Sequence, residues 1–170
     1  MTTKYEQLAE NISDYSTAWS EYWSDLETVI SRLESEVVNN LGIPNNNRLV
    51  FDGKDLGKFV NVGVKGKIPQ ISAIDSVGPK EMKKNIDDMS ITFAISVAII
   101  VQGQNSPVGN YFDLKVSIIN NQFVFTIVPV NSEEFTIYIE RGVAATISLE
   151  RFSTAIFDYI NERYDSKKLK

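Results

Sequence analysis

Residues 91–101 read Ile-Thr-Phe-Ala-Ile-Ser-Val-Ala-Ile-Ile-Val. Large apolar side chains at Ile91, Phe93, Ile95, Val97, Ile99 and Val101 alternate with Thr92, Ala94, Ser96 and Ala98. In a strand, successive side chains point to opposite faces, so this run presents one large apolar face and one small face. That pattern suits a central strand whose small face is closely covered. The run is about half the length of a membrane helix, and Thr92 and Ser96 interrupt it, so no membrane span is expected.

The chain beyond this strand reads as a meander. Pro107–Asn110 forms a turn, after which Phe112, Leu114, Val116 and Ile118 alternate with Asp113, Lys115 and Ser117. One wet and one apolar face is the antiparallel habit. Asn120-Asn121 suits a two-residue hairpin turn, because Asn tolerates positive φ. Phe123, Phe125 and Ile127 then form the inner face of a return strand, and a turn near Asn131–Glu133 leads to Phe135, Ile137 and Ile139. Gly142 closes the meander. Upstream, Arg48–Asp52 and Lys58–Val64 read as strands around a turn from Gly53 to Gly57, and Ile68–Ile74 as an irregular strand with Pro69 near its start. Glu81–Asp88 is polar and reads as a helical turn or a loop. The pattern leaves strand order open between residues 64 and 90.

Helices flank these strands. Thr3-x-x-Glu6 has capping-box spacing. Behind it Tyr5, Leu8, Ile12, Tyr15, Trp19, Tyr22, Leu26 and Val29 recur at alternating steps of three and four. Ile30, Leu33, Val37 and Leu41 continue the stripe with the drift that 3.6 residues per turn imposes on a heptad. Gly42 and Pro44 end the helix. Ser13, Asp14, Ser16 and Thr17 are indifferent helix formers where the helix can break. Near the C-terminus, Ser148 is a candidate cap for a helix with Leu149, Phe152, Ile156, Tyr159, Ile160 and Tyr164 on its buried face.

The expected fold is therefore α+β, a twisted and mainly antiparallel sheet of about five to seven strands. A long N-terminal amphipathic helix and a C-terminal helix pack on one face. The 170 residues favour one domain, with the long helix over 1–44, the sheet over 45–142 and the last helix over 146–165.

Composition excludes much chemistry. The chain has no histidine and no cysteine. Triads built on histidine, thiolate nucleophiles, His-ligated metal sites and disulfide frameworks are ruled out. An enzyme would have to rely on carboxylates, Lys, Tyr or Ser/Thr, or on Mg²⁺ held by oxygen. The start, Met1-Thr2-Thr3-Lys4, lacks the basic and apolar regions of a secretory signal, and a cytoplasmic location is expected. The net charge of −5 is unevenly spread. Residues 1–47 hold two basic and eight acidic side chains, whereas residues 48–84 hold eight basic and four acidic. The acidic balance argues against nucleic-acid binding, and the basic segment is expected to face the acidic helix.

Four groups of residues invite a functional reading. Gly53-x-x-x-Gly57-Lys58 departs from a phosphate loop in spacing and in the Phe59 that follows, so a hairpin turn is preferred. Asp87-Asp88 and Glu133-Glu134 are adjacent acids that diverge on a strand, and no metal or cofactor is expected there. Lys54, Lys58, Lys65 and Lys67 are a weak candidate for an anion or an acidic partner, set against the plainer reading of a solvated edge. Tyr5, Tyr15, Trp19, Tyr22 and Trp23 make the first helix unusually aromatic, the last four being the interface candidates. They read either as packing on the sheet or as a protein interface, with Trp23, beside the main stripe, expected to be the most exposed.

In outline the chain is similar to bacterial secretion chaperones and toxin-neutralising immunity proteins, a likeness of composition. The leading expectation is a non-enzymatic binder of another protein or of itself, of chaperone-like, inhibitor or immunity type. The competing expectation is a small-ligand-binding domain or carboxylate-dependent enzyme with a pocket between helices and sheet. One geometric point favours the first. Residues 4–41 as a single helix would span about 57 Å, against about 36 Å for the longest strand. Unless the helix folds back near Ser13–Thr17, its apolar stripe overhangs by about 20 Å and needs a cover from a second chain.

Overall fold

The computed structural model describes residues 1–66 and 74–169. It is α+β, with two helices and a mostly antiparallel sheet of seven strands. The first helix, α1 (Lys4–Leu41), is unbroken. Its start is the capping box read from the sequence: Thr3 Oγ1 accepts the Glu6 N–H at 3.1 Å, and the Thr3 N–H donates to Glu6 Oε2 at 2.7 Å. Its end is Gly42 in the left-handed region, φ +65, where glycine escapes the Cβ penalty. Ser13–Thr17 do not break it, because indifferent propensity at four positions is a small cost inside 38 helical residues.

The strands are β1 (Arg48–Phe51), β2 (Lys54–Lys58), β3 (Val60–Lys65), β4 (Ile74–Ser76), β5 (Lys83–Asn85), β6 (Ser90–Ile99), β7 (Val108–Ile119), β8 (Gln122–Pro129) and β9 (Phe135–Glu140). β1 and β2 form a separate hairpin. The main sheet runs β4-β3-β6-β7-β8-β9, and β5 pairs with β6 on the edge it shares with β3. The second helix is α2 (Glu150–Arg163).

The central alternation is as read. Ile91, Phe93, Ile95 and Val97 are buried on the inner face of β6, opposite Val116, Leu114, Phe112 and Asn110 of β7. Leu114, Val116, Phe123, Phe125 and Ile139 join them, packed with Leu26 and Leu33 of α1 and Phe152 and Ile156 of α2, while Ile137 and Trp19 are half-buried at the margin. The β7–β8 turn is Asn120-Asn121 with φ +49 and +58, the positive values a two-residue turn of this hand requires.

Several boundaries differ from expectation. β6 stops at Ile99, and the connection to β7 runs through 100–107, upstream of the expected turn at Pro107–Asn110. The first hairpin turns at Asp52-Gly53, φ +52 and +72, and residues 54–58 form a strand. Asp-Gly is a strong hairpin signal that outweighed the glycine at 57. Asp55 supports that strand's irregular end by accepting the Gly57 N–H at 2.9 Å. The polar stretch 81–88 contains β5 and a turn. Leu149 precedes the first residue of α2, and Ser148 Oγ accepts the Glu150 N–H at 3.4 Å from one position further out. Of the strand read over Ile68–Ile74, all but Ile74 lies outside the described residues.

Five ionisable groups shift, each away from neutrality. The carboxyls of Asp55, through its bond from the Gly57 N–H and then Arg48, and of Asp88, through its bond from Ser90, sit below their usual values. So does Glu6, through the Thr3 N–H. Burial pushes the Tyr22 and Tyr111 hydroxyls up. Carboxyls lowered on folding contribute stability that is present above the unfolded value, about 4, and lost as pH falls through the folded value. The melting temperature is therefore expected to be flat between pH 6 and 8 and to fall only below about pH 4. Thermal denaturation across a pH series checks this, and a transition centred near pH 7 would contradict it.

Candidate functional site

The first 15 residues of α1, 4–18, are exposed along their whole length. At about 1.5 Å per residue they project about 22 Å beyond the last residues that pack on the sheet. The apolar stripe continues onto this projection in phase. Tyr5 is 80% exposed, Leu8 61%, Ile12 66% and Tyr15 66%. Trp19, half-buried, marks the junction, and its ring lies 6.1 Å from Tyr15 and 5.8 Å from Trp23. Single exposed apolar side chains are ordinary on a protein surface. A contiguous row over four helical turns is a patch of the kind that partners cover.

The base of the projection is firmly held. The Tyr22 hydroxyl donates to the Met89 carbonyl at 2.5 Å and accepts the Ile118 N–H at 3.1 Å, tying α1 to the β5–β6 turn and to β7 at once. The Arg141 guanidinium meets Asp25 Oδ2 at 2.8 Å. Arg32 donates to the carbonyls of Ala144 at 2.7 Å and Ile147 at 2.8 Å, fixing the loop that leads into α2. A helix anchored in this way presents its free end in one direction without the nucleation cost of an isolated helix.

Of the five aromatics, Tyr5 and Tyr15 stand free. Tyr22 is half-buried in its own hydrogen bonds. Trp23, expected to be the most exposed, is 6% exposed, a correction with a clear cause. A helix of 3.6 residues per turn rotates its heptad positions by ~20° per heptad. By the second and third heptads the buried face has moved toward Trp23. Lys84 then covers that ring, its ammonium 5.5 Å from the centroid. Leu8 and Ile12, stripe positions outside the aromatic set, belong to the same exposed surface as Tyr5 and Tyr15. The signal for them was the stripe itself, combined with the excess of helix length over sheet.

The lysines do not gather. Lys54 and Lys58 lie on β2 and Lys65 at the end of β3, while Lys67 lies outside the described residues. Lys58 pairs with Glu34 at 2.8 Å, and Lys84 pairs with Glu27 of the same helix. Two basic side chains of the middle segment thus face the acidic helix, while Arg48 pairs with Asp55 within the segment.

Nor does the space between helices and sheet form an enclosed polar pocket in the described residues. The inner face is filled by fully buried Phe112, Phe123, Phe125 and Phe152. An open groove of about 690 Å³ lies between β9 and α2, with Glu140, Arg151 and Asp158 along it. A smaller one of about 290 Å³, between the C-terminal ends of α1 and α2, is lined by Leu41, Ile43, Ile99, Phe157 and Ile160, with Asn161 and Tyr164 as its polar members. Among the described residues no three carboxylates cluster with metal-ligand geometry, and no helix is long and apolar enough to cross a membrane. Comparison with protein-family models, curated proteins and solved structures finds no match to this chain.

Proposed function

We propose that this chain is a non-enzymatic, cytoplasmic protein-binding protein, and that the projecting half of α1 is its docking element. The observation that carries the reading is the unbroken apolar row Tyr5, Leu8, Ile12, Tyr15 and Trp19 on a helix held rigidly at its base. Such a row is read by another helix laid along it, with anchors at i, i+3, i+7 and i+10. Tyr and Trp supply large contact area with few rotors to immobilise. The kind of binder this suits, a small acidic chaperone, inhibitor or immunity protein, acts by covering a surface on its target.

The test is affinity purification of the tagged chain from its native host, beside a variant carrying Ile12→Glu and Tyr15→Glu. Both side chains are exposed and on the projection, so the fold should survive, as circular dichroism can verify. Loss of two buried anchors, at about 1.5–3 kcal/mol each, predicts binding weakened by more than about a hundredfold. Mass spectrometry should then find a protein retained by the wild type and missing from the variant. Identical retained sets, together with a wild type that is monomeric in light scattering, would overturn the proposal.

A further inference from the structure

We infer that the projecting halves of two copies pair antiparallel, about a two-fold axis close to Ile12. This rests on the docking role proposed above and commits it to one occupant, a second copy of the chain.

Direction follows from the body of the protein. The stripe that is free from Tyr5 to Tyr15 is the same stripe that, from Leu26 onward, lies buried under this chain's own sheet. A parallel copy laid along the free part would run on unbroken to its own Leu41. Its helix would have to pass through the space occupied by the strands. An antiparallel copy has no such conflict. Its helix ends at Lys4, beside the junction at Trp19, and its body lies beyond the other copy's tip.

The row is self-complementary in that direction. With Ile12 opposite Ile12, Leu8 faces Tyr15 and Tyr5 faces Trp19 of the second copy. Every pair thus sets one large apolar side chain against another, and the contact is isologous, the same patch used twice. The residues that flank the row are Ala9 and Ser16 on one side and Asn11 and Ala18 on the other, all uncharged and short. They allow two helices to approach closely and set no like charges against each other. The acidic residues Glu6, Glu10 and Asp14 fall at helical positions away from the row. An interface between different chains commonly encodes its partner in flanking charges; here the flanks carry none apart from Lys4 at the tip. The exposed parts of the five side chains amount to roughly 500–600 Å² per copy. With the flanks, the total approaches the lower end of stable interfaces, about 1,200 Å². A dissociation constant on the order of micromolar is expected.

The chain contains no cysteine, so single-cysteine variants report unambiguously. Light scattering at about 100 µM, well above a micromolar Kd, should give twice the monomer mass for the wild type and the monomer mass for Ile12→Glu. On mild oxidation, a mixture of Leu8→Cys and Tyr15→Cys should form the mixed disulfide. Leu8→Cys alone should not, because antiparallel pairing separates the two copies of residue 8 by about 12 Å along the axis, beyond disulfide reach. Self-linking of Leu8→Cys alone would show parallel pairing and overturn the proposal. A monomeric wild type would overturn self-pairing as well. In that case a captured partner that is lost with Ile12→Glu and Tyr15→Glu would leave the docking role standing, and the absence of any such partner would remove both.

Discussion

Phe125→Ala should destabilise the protein by about 3–5 kcal/mol, the cost of removing a phenyl ring from a core that cannot fully collapse around the space. Phe125 lies at the meeting point of three elements. It is fully buried on β8, opposite Val116 of β7 and Ile137 of β9, and its ring is 5.1 Å from that of Phe152 on α2. The cavity would open where sheet and helix join, between residues whose positions are set by separate hydrogen-bond networks, and that limits relaxation. Against a typical total of about 5–15 kcal/mol, such a loss is a large fraction of the stability. Urea denaturation monitored by the two tryptophans checks it, with Phe125→Leu as a milder control expected to cost less than the Ala variant. A loss below about 1 kcal/mol for Phe125→Ala would mean that this side chain does not pack as described.

The second large effect is expected at Asn47, where the loss is of hydrogen bonds. Its side chain is buried and bonds the backbone of β3 in both senses: Oδ1 accepts the Val60 N–H at 2.7 Å, and Nδ2 donates to the Val60 carbonyl at 2.9 Å. Nδ2 also lies 3.1 Å from Glu34 Oε1 on α1. The residue has φ +65, the third positive value in succession after Asn45 and Asn46. Alanine at 47 would leave buried backbone groups of Val60 without partners, at about 1–3 kcal/mol. It would also hold a Cβ in the left-handed region, at about 1–2 kcal/mol. A total of about 2–5 kcal/mol is expected. Asn47→Gly separates the two contributions, since glycine accepts the φ and still lacks the amide. If both variants unfold at the wild-type urea midpoint, the network contributes nothing.

These two sites differ in how far they could be read from the chain. Phe125 sits in an alternation so regular that its burial on the inner face followed from period. The same holds for the strands from Ile91 to Ile139, for the Asn120-Asn121 turn and for the capped start of α1. Asn47 was legible only as part of a loop, because its role depends on a backbone 13 residues away. The same reason hid β4 and β5, three residues each and specified by the neighbours they pair with. It also left the order β4-β3-β6 open. The candidate surface was partly legible. Phase and length showed that the stripe must outrun the sheet, but not where the sheet would end against it. That point is set by Tyr22, Met89 and Ile118, which meet only in the folded chain. Trp23 was misplaced because a stripe drawn as straight in fact winds around the helix.

The contacts that seat α1 have a consequence in time. A ribosome makes the helix first and its cover last: Arg32 waits for Ala144 and Ile147, and Asp25 waits for Arg141. These partners are separated by 112, 115 and 116 positions. At about 5–20 residues per second, they emerge on the order of ten seconds apart. Through that interval the nascent helix lacks these clamps and the packing of α2 against it. The meander between them can zip from one hairpin to the next as it appears, since β6, β7, β8 and β9 each pair with the strand just made. Completion of the α1 seat is thus the late event in the synthesis of this chain, because its last clamps come from residues 141–147.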